Sequence, residues 1–181
     1  MEKIDPVEQD QSKGYIHVYT GDGKGKSTAA FGVVLRSIMA GRKVFVGQFV
    51  KAMKYSETKI ENHFDQVEIV QYGKDCTIFR DPDQEDADMA VAGLAHIADR
   101  MSSGDYDLVV LDEVAIAVYL KFLTPEAVWK AVEGKAAHTE VILTGRQAPS
   151  LWIEGADLVT EMREVKHYYT QGVLSREGID C

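Results

Sequence analysis

Residues 20–28 read TGDGKGKST, and the organisation of the whole chain follows from this stretch. A mainly apolar run, residues 15–19, precedes it, and an amphipathic segment, residues 27–40, follows it. A strand, a glycine-rich turn and a helix start in this order allow backbone N–H groups and a helix N-terminus to hold polyphosphate. The stretch therefore predicts a phosphate-binding loop. The alternative is a glycine-rich turn that only connects a strand to a helix.

The spacing inside this loop differs from the usual one. The common pattern G-x-x-x-x-G-K-[ST] would place the first glycine at position 20, where this chain has Thr20 and then Gly21. The end of the pattern is intact, because Gly25 is followed by Lys26 and Ser27. Lys26 is expected to place a positive charge on the phosphates, and the Ser27 hydroxyl is expected to reach a Mg²⁺ ion.

Composition limits the kind of protein that this chain can be. Its 181 residues are 45% hydrophobic and 27% charged, which fits one globular domain at residues 15–181, with a C-terminal tail and an N-terminal arm at residues 1–14. The formal net charge of −9 argues against nucleic acid as a partner. We expect the arm to be either a disordered tail or a segment that orders against a ligand or a second subunit.

The expected compartment is the cytoplasm. Cys76 and Cys181 are the only cysteines, and two widely separated cysteines form neither a disulfide framework nor a metal cluster. The polar N-terminus does not have the pattern of a signal peptide. No apolar run approaches the roughly 20 residues that a membrane-spanning helix needs, so no membrane association is expected.

Predicted strands alternate with predicted helices along the rest of the chain. Short apolar or β-branched runs are typical of strands buried on both faces of a sheet, and segments with apolar residues at helical spacing lie between them. The predicted strands are residues 15–20, 43–50, 67–72, 106–113, 140–144 and 158–162, with helices at 27–40, within 51–63, after Asp83, from Thr124 and at 149–156. This alternation predicts an α/β protein with the three-layer fold of a P-loop NTPase (RecA-like), built on a mainly parallel sheet of five or six strands.

A second phosphate-site motif lies at residues 106–113, which read YDLVVLDE. An apolar strand that ends in Asp112 and Glu113 places two carboxylates at the edge of the sheet where the loop also lies, so that they hold Mg²⁺ directly or through water. Many strands end in an acid, but one that follows a phosphate-binding loop at this distance is a specific signal. The two motifs together predict a nucleoside triphosphate site.

These motifs do not name the reaction. No Asn-Lys-x-Asp sequence follows, which disfavours GTP. A motor or recombination ATPase would use Glu113 to polarise water. A small kinase would require an arginine-rich lid, whereas only Arg80 and Arg146 are available.

Four stretches resemble one family, the P-loop ATP:corrinoid (cob(I)alamin) adenosyltransferases of cobalamin biosynthesis and salvage. The resemblance runs from about residue 14 to the C-terminus, and it is carried by GYIHVYTGDGKGKSTAAFG, YDLVVLDE, VILTGRxAP and VKHYYTQGVLSREGID. It implies an enzyme that transfers the 5′-deoxyadenosyl group of ATP to the Co(I) of a reduced corrinoid and releases triphosphate. The alternatives are a RecA-like ATPase and a non-catalytic protein that binds ATP or a corrinoid.

The resemblance also implies roles for the motif residues. ATP in this family is bound with its triphosphate reversed relative to ordinary P-loop NTPases, which accords with the unusual glycine spacing. Catalysis then consists of aligning cobalt with C5′ and neutralising the leaving triphosphate. The implied catalytic residues are Lys26, Ser27 and Glu113, and the implied Mg²⁺ ligands are Ser27, Asp112 and Glu113. The implied ATP-binding residues are Thr20, Gly21, Asp22, Gly23, Lys24, Gly25, Lys26, Ser27, Thr28 and Arg146.

For the corrinoid, the resemblance implies an apolar wedge in the loop after the third strand, which displaces the lower axial ligand of cobalt. Here that loop contains Cys76, Ile78 and Phe79, and it departs from members of the family that carry aromatic residues. The alternative for Ile78 and Phe79 is ordinary core packing, and Cys76 is expected to be a small buried residue rather than a cobalt ligand. The resemblance further implies a homodimer, an electron-donating flavoprotein reductase as partner, and an arm that covers the corrinoid of the neighbouring subunit.

Overall fold

The computed structural model describes residues 12–51, 53–74 and 82–180. These residues form an α/β fold in which strands and helices alternate, as the sequence predicts. The strands are β1 (Ile16–Thr20), β2 (Val44–Phe49), β3 (Val67–Tyr72), β4 (Leu108–Asp112), β5 (Glu140–Thr144) and β6 (Leu158–Glu161). The α-helices are α1 (Lys26–Met39), α2 (Gln84–Ser103), α3 (Val114–Tyr119), α4 (Pro125–Glu133) and α5 (Ser150–Gly155), with 3₁₀ helices at Ser56–Asn62 and Tyr168–Gln171.

The strands form one six-stranded sheet in the order β3-β2-β4-β5-β1-β6. Every neighbouring pair is parallel, so the prediction of a mainly parallel sheet of five or six strands is confirmed. The sheet places β5 between β1 and β4, the two strands that carry the phosphate motifs. Because all strands run the same way, the loops at their carboxyl ends lie along one edge of the sheet.

Each face of the sheet packs against its own hydrophobic cluster. Alternate side chains of β4 point to opposite faces and show this division. Val109 and Leu111 are fully buried in the cluster that α2, α4 and α5 help to form, whereas Leu108 and Val110 face the cluster against α1. Strands buried on both faces require nearly continuous apolar sequence, and this is why the strand runs contain so few polar residues. The sheet is therefore a rigid support for the loops at its edge.

Helix ends follow the capping chemistry that the sequence predicts. The Asp83 side chain accepts a hydrogen bond from the Asp86 backbone N–H (3.1 Å), and the Asp83 N–H donates to the Asp86 carboxylate (3.0 Å), which completes a capping box before α2. Thr124 accepts from the Ala127 N–H (3.1 Å) at the start of α4. Helix α3 was not predicted, because six mainly apolar residues directly after a strand give no helical period to detect.

In the part of the chain that the structure describes, no helix combines the length and the apolar character needed to cross a bilayer.

Candidate functional site

A cavity of about 1040 Å³ lies over the carboxyl ends of the strands. Residues after four of them line it, starting with the glycine loop after β1, Lys51 after β2 and Glu113 after β4. Arg146, after β5, lines it as well. We call it the loop cavity. The position agrees with the general rule that open α/β sheets bind ligands beyond the carboxyl ends of their strands.

The glycine loop packs closely against the chain that follows β6. The Met162 N–H donates to the Thr20 carbonyl (2.7 Å), and the Gly23 N–H donates to the Met162 carbonyl (2.7 Å). Gly21 has a φ of 97°, and a Cβ on it would lie 2.5 Å from the Met162 carbonyl oxygen. Only glycine fits both the backbone conformation and this approach, so the glycine at position 21 has a local structural reason.

Thr20, which stands where the usual pattern has its first glycine, has a different role in the fold. It is 7% exposed, and its Oγ1 accepts a hydrogen bond from the Ala148 N–H (3.1 Å). Ala148 belongs to the loop after β5 that also carries Arg146. The threonine therefore ties the glycine loop to the segment that presents the arginine, a contact that glycine cannot make.

Lys26 lies at the first residue of α1 and is 6% exposed. Its Nζ donates to the carbonyl oxygens of Gly21 (2.7 Å) and Gly23 (2.8 Å), so the ammonium is held inside the curve of the loop. Burial lowers the pKa of Lys26, while the nearby Glu113 carboxylate acts in the opposite direction. A positive charge at a helix N-terminus beside loop amides is suited to phosphate oxygens.

Asp112 is the centre of a buried polar network. It has no exposed surface, and its Oδ1 accepts from Ser27 Oγ (2.7 Å) and Thr144 Oγ1 (2.8 Å). Its Oδ2 accepts from Lys51 Nζ (2.8 Å) and Gln48 Nε2 (3.1 Å). Burial alone would raise the pKa of Asp112, but the Lys51 charge and these hydrogen bonds outweigh it and lower the pKa. The carboxylate is therefore ionised and fixed in orientation.

Glu113 differs from its neighbour. Its backbone is left-handed, with a φ of 59°, and its N–H donates to Thr144 Oγ1 (2.8 Å). Non-glycine residues rarely adopt this conformation outside sites where the surroundings impose it. Among the described residues no hydrogen bond to the Glu113 carboxylate is formed, and burial and the adjacent Asp112 raise its pKa. Glu113 thus presents a half-buried carboxylate to the loop cavity.

Arg146 is a further charged residue in the lining of the cavity. It is exposed and follows Gly145 at the end of β5. In the described part of the chain its guanidinium forms no ion pair, although its charge acts on both Lys26 and Glu113. The lysine and arginine side chains of the cavity lining are thus four, from Lys24, Lys26, Lys51 and Arg146.

The structure brings most of the predicted ATP-site residues to this cavity. The predicted residues that line it are Gly23, Lys24, Gly25, Lys26, Ser27, Thr28, Glu113 and Arg146. The predicted residues outside its lining are Thr20, Gly21, Asp22 and Asp112. The predicted corrinoid residues Cys76, Ile78 and Phe79 lie outside the described residues, as does most of the N-terminal arm.

Sequence reasoning missed three members of the Asp112 network: Gln48, Lys51 and Thr144. Two of them left a signal in the sequence, because Gln48 is a polar residue inside an apolar strand and Lys51 is the second residue after that strand. A fully buried polar side chain requires a partner, and here the partner is the carboxylate of the neighbouring strand.

Lys24 also behaves differently from a simple loop residue. Its Nζ donates to Tyr168 Oη (3.1 Å), to the Ile179 carbonyl (2.7 Å) and to the Asp180 carboxylate. All three partners belong to the C-terminal tail. The side chain therefore connects the glycine loop to the end of the chain.

Comparison with known proteins gives a consistent result. A sequence model of the family described as ATP:corrinoid adenosyltransferase BtuR/CobO/CobP matches residues 12–181. A corrinoid adenosyltransferase of Sinorhizobium sp is 37% identical, covering 99% of this chain and 85% of its own. That of Pseudomonas aeruginosa is 36% identical (93% and 84%), and that of Escherichia coli K12 is 33% identical (99% and 92%). The family match spans the glycine loop, the Asp112 network and the tail, and the chain therefore belongs to the ATP:corrinoid adenosyltransferase family.

Proposed function

We propose that this chain transfers the 5′-deoxyadenosyl group of ATP to the Co(I) of a reduced corrinoid. Co(I) supplies the electron pair for the new Co–C5′ bond, the C5′–O bond breaks, and its electrons leave with triphosphate. The observation that carries the proposal is the loop cavity, where the glycine loop and four cationic side chains form part of the lining in a protein of this family. A strong nucleophile and a polyanionic leaving group require no base from the protein, only alignment and charge neutralisation.

The phosphate side of the cavity accounts for the leaving group. Lys26 holds its ammonium inside the glycine loop, Lys51 lies beside Asp112, and Arg146 enters from the loop after β5. Positive groups fixed before the reaction stabilise negative charge that develops on a bridging oxygen, because they need no reorganisation. We assign ATP binding to residues 20–28 and Arg146, with Lys26, Ser27 and Glu113 as the catalytic residues.

Mg²⁺ fits the oxygen groups at this site. Ser27 Oγ lies 2.7 Å from Asp112 Oδ1, and Glu113 presents a half-buried carboxylate to the same cavity. A hard dication is bound by such carboxylate and hydroxyl oxygens, often through water, and would favour the ionised form of Glu113. We propose Ser27, Asp112 and Glu113 as its holders. The ion would supply charge neutralisation on the phosphate oxygens.

Part of the cavity lining is suited to a larger, less polar partner. The lining includes the apolar and aromatic side chains of Phe31, Phe49, Tyr55, Ile116 and Tyr169. Strand β3 ends at Tyr72 and leads to the segment that carries Cys76, Ile78 and Phe79, which we propose as the corrinoid contacts.

The wider arrangement is inferred from family membership. We propose that residues 15–181 act as one domain, that the chain works in the cytoplasm as a homodimer, and that a flavoprotein reductase supplies the electrons for Co(I). In this arrangement the arm, residues 1–14, covers the corrinoid of the neighbouring subunit.

A spectral assay tests the proposal directly. The protein is mixed with Mg-ATP and chemically reduced cobalamin, and the expected product is a light-sensitive adenosylcorrinoid formed together with triphosphate. Lys26→Ala should abolish turnover, whereas Lys130→Ala, which removes an exposed lysine of α4, should leave it unchanged. Phosphate release without corrinoid would instead indicate an ATPase. Ligand binding by calorimetry with no product of either kind would indicate a non-catalytic binding protein.

A further inference from the structure

The C-terminal tail, residues 163–180, is held to the rest of the protein in an unusual way. The structure describes all of it, and none of its residues is buried. Its regular structure is one 3₁₀ turn, Tyr168–Gln171. A segment without a fully buried residue gains less from the hydrophobic effect than a core segment does, so polar contacts contribute strongly to where it lies.

Those polar contacts converge on Asp180. One carboxylate oxygen accepts from Lys24 Nζ and from Tyr168 Oη, and the other accepts from the backbone N–H (3.2 Å) and the Nε (3.2 Å) of Arg176. The Arg176 guanidinium also lies 4.9 Å from the centre of the Tyr168 ring. Hydrogen bonds from Lys24 and Tyr168 hold the pKa of Asp180 well below its usual range. Asp180 therefore connects Tyr168 and Arg176 of the tail to Lys24.

The partner of this cluster in the body of the protein is the phosphate-binding loop itself. Lys24 lies between Gly23 and Gly25, and 156 positions separate it from Asp180. Its ammonium also donates to the Ile179 carbonyl (2.7 Å). Three tail atoms thus accept hydrogen bonds from one lysine of the loop, and both the loop and the tail line the cavity.

The fastened tail supplies one side of the loop cavity. The tail residues that line it include His167, Tyr168, Tyr169, Val173 and Ile179. The rings of His167 and Tyr168 lie 4.8 Å apart between centroids, which presents an aromatic surface to the cavity. Aromatic side chains provide large contact area to a planar ligand such as a nucleobase.

We propose that Asp180 is a positioning residue that fastens the tail across the phosphate-binding loop through Lys24, and that the fastened tail forms a wall against which the nucleotide binds. The proposal rests on the proposed function in one respect, since the nucleotide is the ATP of that reaction. In this arrangement the Lys24 side chain orders the tail, and the loop amides and Lys26 contact the phosphates.

The test compares three variants of the full-length protein. Asp180→Asn removes the charge and keeps the shape, and Asp180→Glu keeps the charge. Glu177→Gln is the matched control, because Glu177 is also a tail carboxylate facing a lysine of the body, Lys59, but at 3.6 Å and with 83% of its side chain exposed, against 12% for Asp180. An exposed pair of this kind contributes little.

The first measurement is the Kd for Mg-ATP by calorimetry, which does not depend on turnover. Asp180→Asn should weaken binding by about 3- to 10-fold, Asp180→Glu should recover most of the loss, and Glu177→Gln should match the wild type. The KM for ATP should rise in parallel, with kcat changed less than about 2-fold, because uniform binding is lost. An unchanged Kd overturns the proposal. A tighter Kd overturns it as well, since the carboxylate would then compete with phosphate for Lys24.

The second measurement is the rate of trypsin cleavage after Lys166 without nucleotide. Asp180→Asn and Lys24→Gln should each accelerate this cleavage. The double variant should be cleaved no faster than either single variant, because both substitutions remove the same contact between Lys24 and Asp180. Equal rates for wild type and Asp180→Asn overturn the fastening. A wild-type protein that binds ATP but makes no adenosylcorrinoid would refute the proposed function alone, since both measurements still decide the role of Asp180.

Discussion

Gly21→Ala is the substitution that tests the structure of the glycine loop most directly. The φ of 97° at Gly21 lies in the region that L-residues rarely adopt, which costs about 1–2 kcal/mol for alanine. The new Cβ would also lie 2.5 Å from the Met162 carbonyl oxygen and 2.9 Å from its nitrogen, both of them backbone atoms that cannot rotate away. Overpacking of this kind costs about 1–3 kcal/mol, so the total destabilisation should be about 2–5 kcal/mol.

Substitutions at two other glycines separate the cost of backbone strain from the cost of the steric clash. Gly41 has a φ of 78° with nothing within 4 Å of an added Cβ, so Gly41→Ala measures the backbone strain without the clash. Gly32 lies within α1 with equally open surroundings, and Gly32→Ala should stabilise the protein by about 0.5–1 kcal/mol through helix propensity. Urea unfolding of the three variants gives the comparison. If Gly21→Ala is no more destabilising than Gly41→Ala, the close contact with Met162 does not hold the loop.

Three further substitutions test Asp112, Glu113 and the contact between Thr20 and Ala148. Asp112→Asn should destabilise the protein by about 3–5 kcal/mol in urea unfolding, because it leaves the Lys51 ammonium without its buried partner; a loss under 1 kcal/mol would contradict the network. Because the pKa of Glu113 is raised on folding, its ionised form is disfavoured, so Glu113→Gln should gain stability at pH 8 and lose that gain as the pH falls toward 4.5, the ordinary pKa of glutamate; a pH-independent difference would refute this. Thr20→Val removes the acceptor for the Ala148 N–H, and it should cost about 1 kcal/mol of stability and raise the KM for ATP; unchanged values of both would leave the tie between the two loops without a function.

The fold was predictable because its signals are local. Each of these signals spans only a few positions. They are the apolar runs of strand length, the capping residues Asp83 and Thr124, and the glycine loop. Helix α3 escaped prediction because a short apolar segment carries no period. The order of the strands in the sheet also required the structure, since pairing joins segments that are distant in the chain.

The candidate site divides in the same way. Lys26, Ser27, Asp112 and Glu113 were identified from motifs, because each motif is continuous in the sequence. The sequence did not predict that the two carboxylates differ in pKa. Lys51 and several hydrogen bonds lower the pKa of Asp112, whereas Glu113, one residue later, has no hydrogen bond to its carboxylate among the described residues and a raised pKa. Adjacent carboxylates in a strand and at its end face different surroundings, and only the packing assigns them.

The sequence by itself determined that a glycine loop between a strand and a helix opens an α/β domain, since glycine, lysine and serine at this spacing specify backbone conformation and charge locally. The tertiary structure decided why the glycine stands at position 21, because the limiting atom is the Met162 carbonyl, 141 positions away in the chain. It also decided that Lys24 binds the tail, through Asp180. Contacts between distant segments depend on how the strands are arranged in space, and no local pattern encodes that arrangement.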